Sequence, residues 1–118
     1  MKWLTKAEEQ IMQLIWEQEK CLVRDIIAAL GDPDMPHSTV SSVVRILEKK
    51  GFVGHKAYGK THEYFPLVSK EAFARKSLKT WVDRYFNGSP RQLVSFLVEE
   101  DQINLKELNQ LMKQLESI

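Results

Sequence analysis

The sequence has little cysteine and no long apolar run. Cys21 is its single cysteine, which excludes an internal disulfide and any metal site built from several thiolates. No stretch of apolar residues is long enough for a membrane span, so no direct membrane insertion is expected. The opening Met-Lys-Trp-Leu-Thr-Lys-Ala-Glu-Glu turns polar too soon for a signal peptide, so a cytoplasmic chain is expected. Repeats and low-complexity segments are absent as well. So are a glycine-rich phosphate loop, a nucleophile elbow and a paired-carboxylate arrangement. Neither an enzyme nor a cofactor is expected. His55 and His62 could face each other on a hairpin, but no cysteine is near and Glu63 would point to the other face. No metal site is expected there.

What is present is an uneven charge. The 118 residues carry a formal net charge of only +1. Residues 37–62, however, hold Arg45, Lys49, Lys50, Lys56 and Lys60 against one acid, Glu48, and all three histidines lie in the same stretch. A compact basic segment in an otherwise slightly acidic chain points to a local polyanion-binding surface. A solvated basic face is the plainer alternative.

Helical signals come first along the chain. Thr5 and Glu8 form a T-x-x-E capping box, and Leu4, Ala7, Ile11, Leu14 and Ile15 follow at helical spacing. After an extended link at Cys21-Leu22-Val23, a shorter helix shows Ile26, Ile27 and Leu30 as its apolar face and ends at Gly31. Asp32-Pro33-Asp34-Met35-Pro36 is a turn. A third helix is predicted over 38–50, stopped by Gly51. Aromatic and β-branched residues then flank Tyr58-Gly59-Lys60, the pattern of a hairpin ending at Pro66. Ser69 caps a helix carrying Phe73, Leu78, Trp81, Val82 and Tyr85, and Asn87-Gly88 breaks it. Ser89-Pro90-Arg91-Gln92 starts another, and Asn104 starts the last, which runs to about Leu115.

Three helices followed by a hairpin is the order of a winged helix-turn-helix. The expected fold is mainly α with a small β-hairpin: a winged helix-turn-helix domain at 1–68 and a helical dimerisation segment at 69–118. In the third helix Val40, Val43, Val44 and Leu47 make one buried stripe. Ser38, Ser41, Ser42, Arg45 and Lys49 make the opposite one. Small hydroxyl side chains let a helix sit close to base edges in a major groove about 12 Å wide, and an arginine can read guanine or hold phosphate. The hairpin adds His55, Lys56, Tyr58 and Lys60. Double-stranded operator DNA is the expected partner. A winged-helix adaptor that binds only proteins is the alternative, because fold alone does not fix function.

Leu4-Thr5-Lys6-Ala7-Glu8 with Ile11-Met12 and Leu14-Ile15-Trp16 resembles the opening L-T-x-A-E-x-x-(V/I)-M-x-x-(L/V)-W of the penicillinase-repressor (BlaI/MecI/CopY) family. The stretch from Thr39 through Lys49-Lys50-Gly51-Phe52-Val53 is similar to that family's recognition segment, and Tyr64-Phe65-Pro66 to its Y-x-P strand. The resemblance implies a homodimeric transcriptional repressor, and Thr39 and Lys50, in the same basic stretch, belong to the expected DNA-binding set. It also implies release of repression by cleavage in the C-terminal segment, triggered by a membrane-bound sensor protease. The corresponding bond is Ser95–Phe96 in Leu93-Val94-Ser95-Phe96, where Ser95 stands in place of the family's asparagine. The cysteine-rich tail of the copper-responsive branch has no counterpart.

The last helix has its own apolar stripe, Leu105, Leu108, Leu111, Met112 and Leu115. A winged domain already has a core, so this stripe is expected to face a second copy of the chain. Trp81, Tyr85, Leu93, Phe96 and Leu97 are expected to join it.

Overall fold

Thr5 and Glu8 start the first helix by satisfying each other's free backbone N–H. The Glu8 amide donates to the Thr5 hydroxyl at 3.2 Å, and the Thr5 amide donates to the Glu8 carboxylate at 3.1 Å. The computed structural model describes residues 3–100, 104, 106, 107, 109, 110 and 113. Its elements in order are α1 (Lys6–Gln18), α2 (Val23–Leu30), α3 (His37–Lys49), β1 (Val53–Tyr58), β2 (Thr61–Pro66), α4 (Lys70–Tyr85) and α5 (Pro90–Glu99). This is the mainly helical winged helix-turn-helix order with one hairpin. By its contacts the chain divides into two compact units, Met1–Phe73 and Ala74–Ile118.

In the first unit the helix-turn-helix is α2, the 31–36 turn and α3. The Asp25 carboxylate accepts from the Leu22 amide at 2.8 Å at the start of α2. Gly31, at φ 71°, ends it in the left-handed region that costs glycine least. The Asp32 side chain accepts from the Asp34 amide at 3.0 Å and shapes the turn. Val40, Val44 and Leu47 of α3 are fully buried, and Val43 packs against the same core. Each such side chain contributes about 2 kcal/mol relative to exposure. Ile11, Met12, Ile15, Ile26, Phe52 and Val53 complete the centre of this core.

The apolar face of α1 differs from the expected one. Ala7 is exposed, and Glu8 is buried in its place. The reason is tertiary: the Lys50 ammonium sits 2.5 and 2.7 Å from the two Glu8 carboxylate oxygens.

The hairpin is antiparallel, from Val53↔Pro66 to Tyr58↔Thr61, and turns through Gly59 and Lys60. Gly59, at φ 64°, supplies the positive φ that the first central position of a tight hairpin turn takes. Strand β2 also bridges the α1–α2 link. The Cys21 amide donates to the Tyr64 carbonyl at 3.0 Å and the Tyr64 amide to the Cys21 carbonyl at 2.7 Å. Cys21 is buried, and burial, with Asp25 and Glu63 nearby, pushes its thiol up to about 11. That makes it a structural rather than a reactive cysteine. Phe73 in the first turn of α4 packs on Trp16 and Phe52, each at a ring-centroid distance of 5.7 Å. The Trp16 indole N–H donates to the Val68 carbonyl at 2.8 Å.

In the second unit, Asn87 and Gly88 take consecutive positive φ values of 52° and 73°, which separates α4 from α5. The Gln92 amide donates to the Ser89 hydroxyl at 3.3 Å, and Pro90 follows at the first helical position. Further on, the Glu107 amide donates to the Asn104 side chain at 2.8 Å, and residues 106, 107, 109, 110 and 113 are helical. The apolar stripe expected at Leu105, Leu108, Leu111, Met112 and Leu115 lies outside the described residues. Among the described residues no helix is long and apolar enough to cross a membrane.

Candidate nucleic-acid interface

The buried stripe of α3 fixes which side chains its other face displays. With Val40, Val44 and Leu47 inward, Ser38, Thr39, Ser42, Arg45 and Lys49 are exposed, and Ser41 is half-buried beside them. His37, Ser41 and Arg45 stand one turn apart on one line of the helix. The Ser41 hydroxyl lies 3.3 Å from His37 Nδ1. The Ser42 hydroxyl donates to the Ser38 carbonyl at 2.8 Å. Both contacts are local and leave the face open. Ile46, not anticipated as a surface residue, is 45% exposed on the flank of this face.

Lys50 does not belong to this face. Its ammonium donates to both Glu8 oxygens and to the Trp3 carbonyl at 3.1 Å. Burial pushes the Glu8 carboxyl up, but the bonds from Lys50 and Thr5 outweigh it and hold it below its ordinary value. Lys50 thus ties the end of α3 to the start of α1.

Alternation along the hairpin sorts the wing residues into two sets. His55 and His62 share the side that meets α3. Their rings stack at 4.3 Å, and His55 Nδ1 pairs with the Glu48 carboxylate. Tyr64, on the same side, has its phenol held above the usual range by burial and by Glu48, while Arg45 pulls the other way. Lys56 and Tyr58 share the opposite side, with the Lys56 ammonium 5.3 Å from the Tyr58 ring centre. Both are exposed. Lys60 sits in the turn.

A cleft of about 450 Å³ opens between the start of α2, the outer line of α3 and the hairpin. Arg24, Arg45, Lys60, His37, Ser41 and His62 line it together with apolar neighbours, and none of its lining residues is acidic. The structure thus brings Ser41, Arg45 and Lys60 to one place and leaves Lys56 and Tyr58 on the far side of the hairpin. Arg24, His37 and His62 were not anticipated as site residues. The available signal for Arg24 was its position as the second residue of the first helix of the helix-turn-helix, the helix that crosses the DNA backbone in such motifs. Among the described residues no group of His, Cys, Asp or Glu side chains could hold a metal ion.

On the second unit, Leu78, Trp81, Tyr85 and Phe96 are exposed at 52%, 44%, 65% and 44%. Trp81 contacts Tyr85 and Phe86 at ring-centroid distances of 5.5 and 5.1 Å, and Phe86 contacts Phe96 at 5.6 Å. Leu93 and Leu97 of α5 are half-buried. Phe86, an unanticipated member, links the α4 and α5 ends of this cluster. Ser95 and Phe96 both lie inside α5 and are exposed.

Known proteins resemble this chain along most of its length. The chain is 25% identical to the penicillinase repressor of Bacillus licheniformis over 114 residues, covering 96% of this chain and 89% of that protein. It is 26% identical to the methicillin resistance regulatory protein MecI of Staphylococcus aureus (strain N315) over 109 residues, covering 92% and 89%. Among solved structures, the DNA-binding domain of the repressor BlaI superposes with a TM-score of 0.52 at 24% identity, covering 61% of this chain and 93% of that domain. The hsRosR-S1 structure superposes with a TM-score of 0.51 at 21% identity, covering 84% and 92%. These superpositions establish the fold. The penicillinase repressor family model matches residues 4–117, so the chain belongs to the penicillinase repressor family, a family of transcriptional repressors and not of enzymes.

Proposed function

We propose that this DNA-binding transcriptional repressor acts as a homodimer on double-stranded operator DNA, with α3 in the major groove and the hairpin against the backbone. One observation carries the reading: an exposed hydroxyl-and-cation face on α3 adjoins a cleft lined by Arg24, Arg45 and Lys60 with no acid among its lining residues. Serine and threonine side chains along Ser38–Ser42 allow close approach to base edges, and Arg45 reaches guanine or phosphate. Lys49 and Lys60 supply sequence-independent attraction, and Lys56 and Tyr58 meet the backbone where it passes the outer side of the hairpin. His55 contributes by holding the wing to α3 through Glu48.

Assembly is proposed to run through the second unit. Exposed aromatic rings in contiguous contact are the kind of patch that marks a protein interface. Trp81, Tyr85, Leu93, Phe96 and Leu97 form its described part. Release of repression is proposed to follow family precedent, with a membrane-bound sensor protease system triggering cleavage at Ser95–Phe96 in the cytoplasm. Because the bond lies within α5, the helix must open locally before a protease can take it. Separation of the dimer contact from the DNA-binding unit then removes the avidity of paired half-sites.

Repeated selection from a random duplex library tests the function. The full chain should enrich a two-fold symmetric site whose halves are about one helical turn, or a multiple of it, apart. A chain that enriches no sequence above the starting library is not an operator-specific repressor.

A further inference from the structure

Arg24 belongs neither to the recognition helix nor to the wing, yet it lines the same cleft as Arg45 and Lys60. The three cations come from three elements: the first turn of α2, the middle of α3 and the hairpin turn. None of them forms an ion pair among the described residues. Asp25 accepts from the Leu22 amide, and Glu48 pairs with His55. Three like charges lining one cleft with no acid among its lining residues repel one another, and a bound anion relieves that repulsion.

We propose that Arg24, Arg45 and Lys60 together seat one backbone phosphodiester of the bound DNA strand between α2, α3 and the hairpin. This rests on the reading of the chain as a DNA-binding repressor and adds a residue of α2 to it. A phosphodiester fits better than a free ion because the cleft is continuous with the recognition face. His37, Ser41 and Arg45 line the cleft and also form one line of α3, so a strand lying along that line crosses the cleft. At about 450 Å³ the cleft has room for a phosphate together with its flanking sugars. His37 and His62 at its edge add ring N–H donors, and Leu22, Val23 and Tyr64 give it an apolar wall. The seat fixes the strand without reading bases, so its effect is uniform across sequences.

The test compares the full chain with Arg24→Gln and Arg24→Lys on random-sequence duplexes of about two helical turns across a salt series. Arg24→Gln should weaken every duplex alike, by ~8-fold per lost contact at 0.1 M salt, and flatten the log–log salt slope by about 0.9 per chain. Arg24→Lys should keep most of the slope. Arg24 is exposed, so the thermal midpoint of both variants should match the parent. An unchanged slope for Arg24→Gln, with the parent still binding duplex DNA, overturns the seat and leaves the repressor reading standing. A parent that binds no duplex removes that reading and the seat with it. Inorganic phosphate, titrated at constant ionic strength, distinguishes a free anion. Saturating shifts of the Arg24 and Lys60 amide signals at sub-millimolar phosphate, lost in Arg24→Gln while the duplex slope stays the same, would also overturn the proposal.

Discussion

Lys50 holds both carboxylate oxygens of Glu8, at 2.5 and 2.7 Å, across 42 positions of sequence. Glu8 also closes the capping box of α1 through the Thr5 amide. One carboxylate therefore couples the start of the first helix to the end of the recognition helix. The orientation of α3 depends on it as well as on the aliphatic core.

Removing that carboxylate should destabilise the first unit. Glu8→Gln loses the charge-assisted bonds and leaves the Lys50 ammonium without its counter-charge, at a cost of about 2 kcal/mol. Denaturant unfolding at neutral pH checks this. The pH dependence follows from the sign of the shift. Glu8 lies below its ordinary value of 4.5 in the folded chain, so its contribution is present above that value. It is lost as pH falls through the lower folded value. Parent and Glu8→Gln should converge in stability under acid, and a constant difference down to the lowest pH would contradict the pairing.

Arg45 should matter to DNA and not to folding. Its side chain is exposed and forms no ion pair among the described residues. Arg45→Ala should weaken binding to the selected site by about 1–3 kcal/mol and leave the unfolding midpoint in place. Parent-like affinity in a fluorescence-anisotropy titration would remove Arg45 from the interface.

The second unit should control assembly. Tyr85 is 65% exposed at the edge of the aromatic cluster, so Tyr85→Asp places a charge in the proposed seam with little effect on the fold of one chain. Sedimentation at micromolar concentration should show a dimer for the parent and a shift toward monomer for the variant. A monomeric parent would contradict the dimer.

Much of the first unit is legible locally. The Thr5–Glu8 box, Gly31, and the Val40, Val44, Leu47 spacing each act within one or two helical turns, so sequence alone reveals them. The pairing of Lys50 is hidden for the opposite reason. Its partner is distant in sequence, and a carboxylate on an apolar face looks like solvent-exposed polarity until a cation is brought to it. The place of Arg24 is not legible in the sequence because the cleft exists only once α2, α3 and the hairpin are packed together. Lys56 and Lys60 read alike as basic hairpin residues. Strand alternation and the tight turn then send them to different sides.

The most direct measurement of the central claim is an NMR map of the full chain titrated with a short duplex carrying the selected site. Amide shifts should concentrate in residues 37–49 and 59–62, with Arg24 among them, and spare the Leu78, Trp81, Tyr85 and Phe96 cluster. Shifts confined to that aromatic cluster, or no shifts at duplex saturation, would contradict DNA recognition by α3 and the wing.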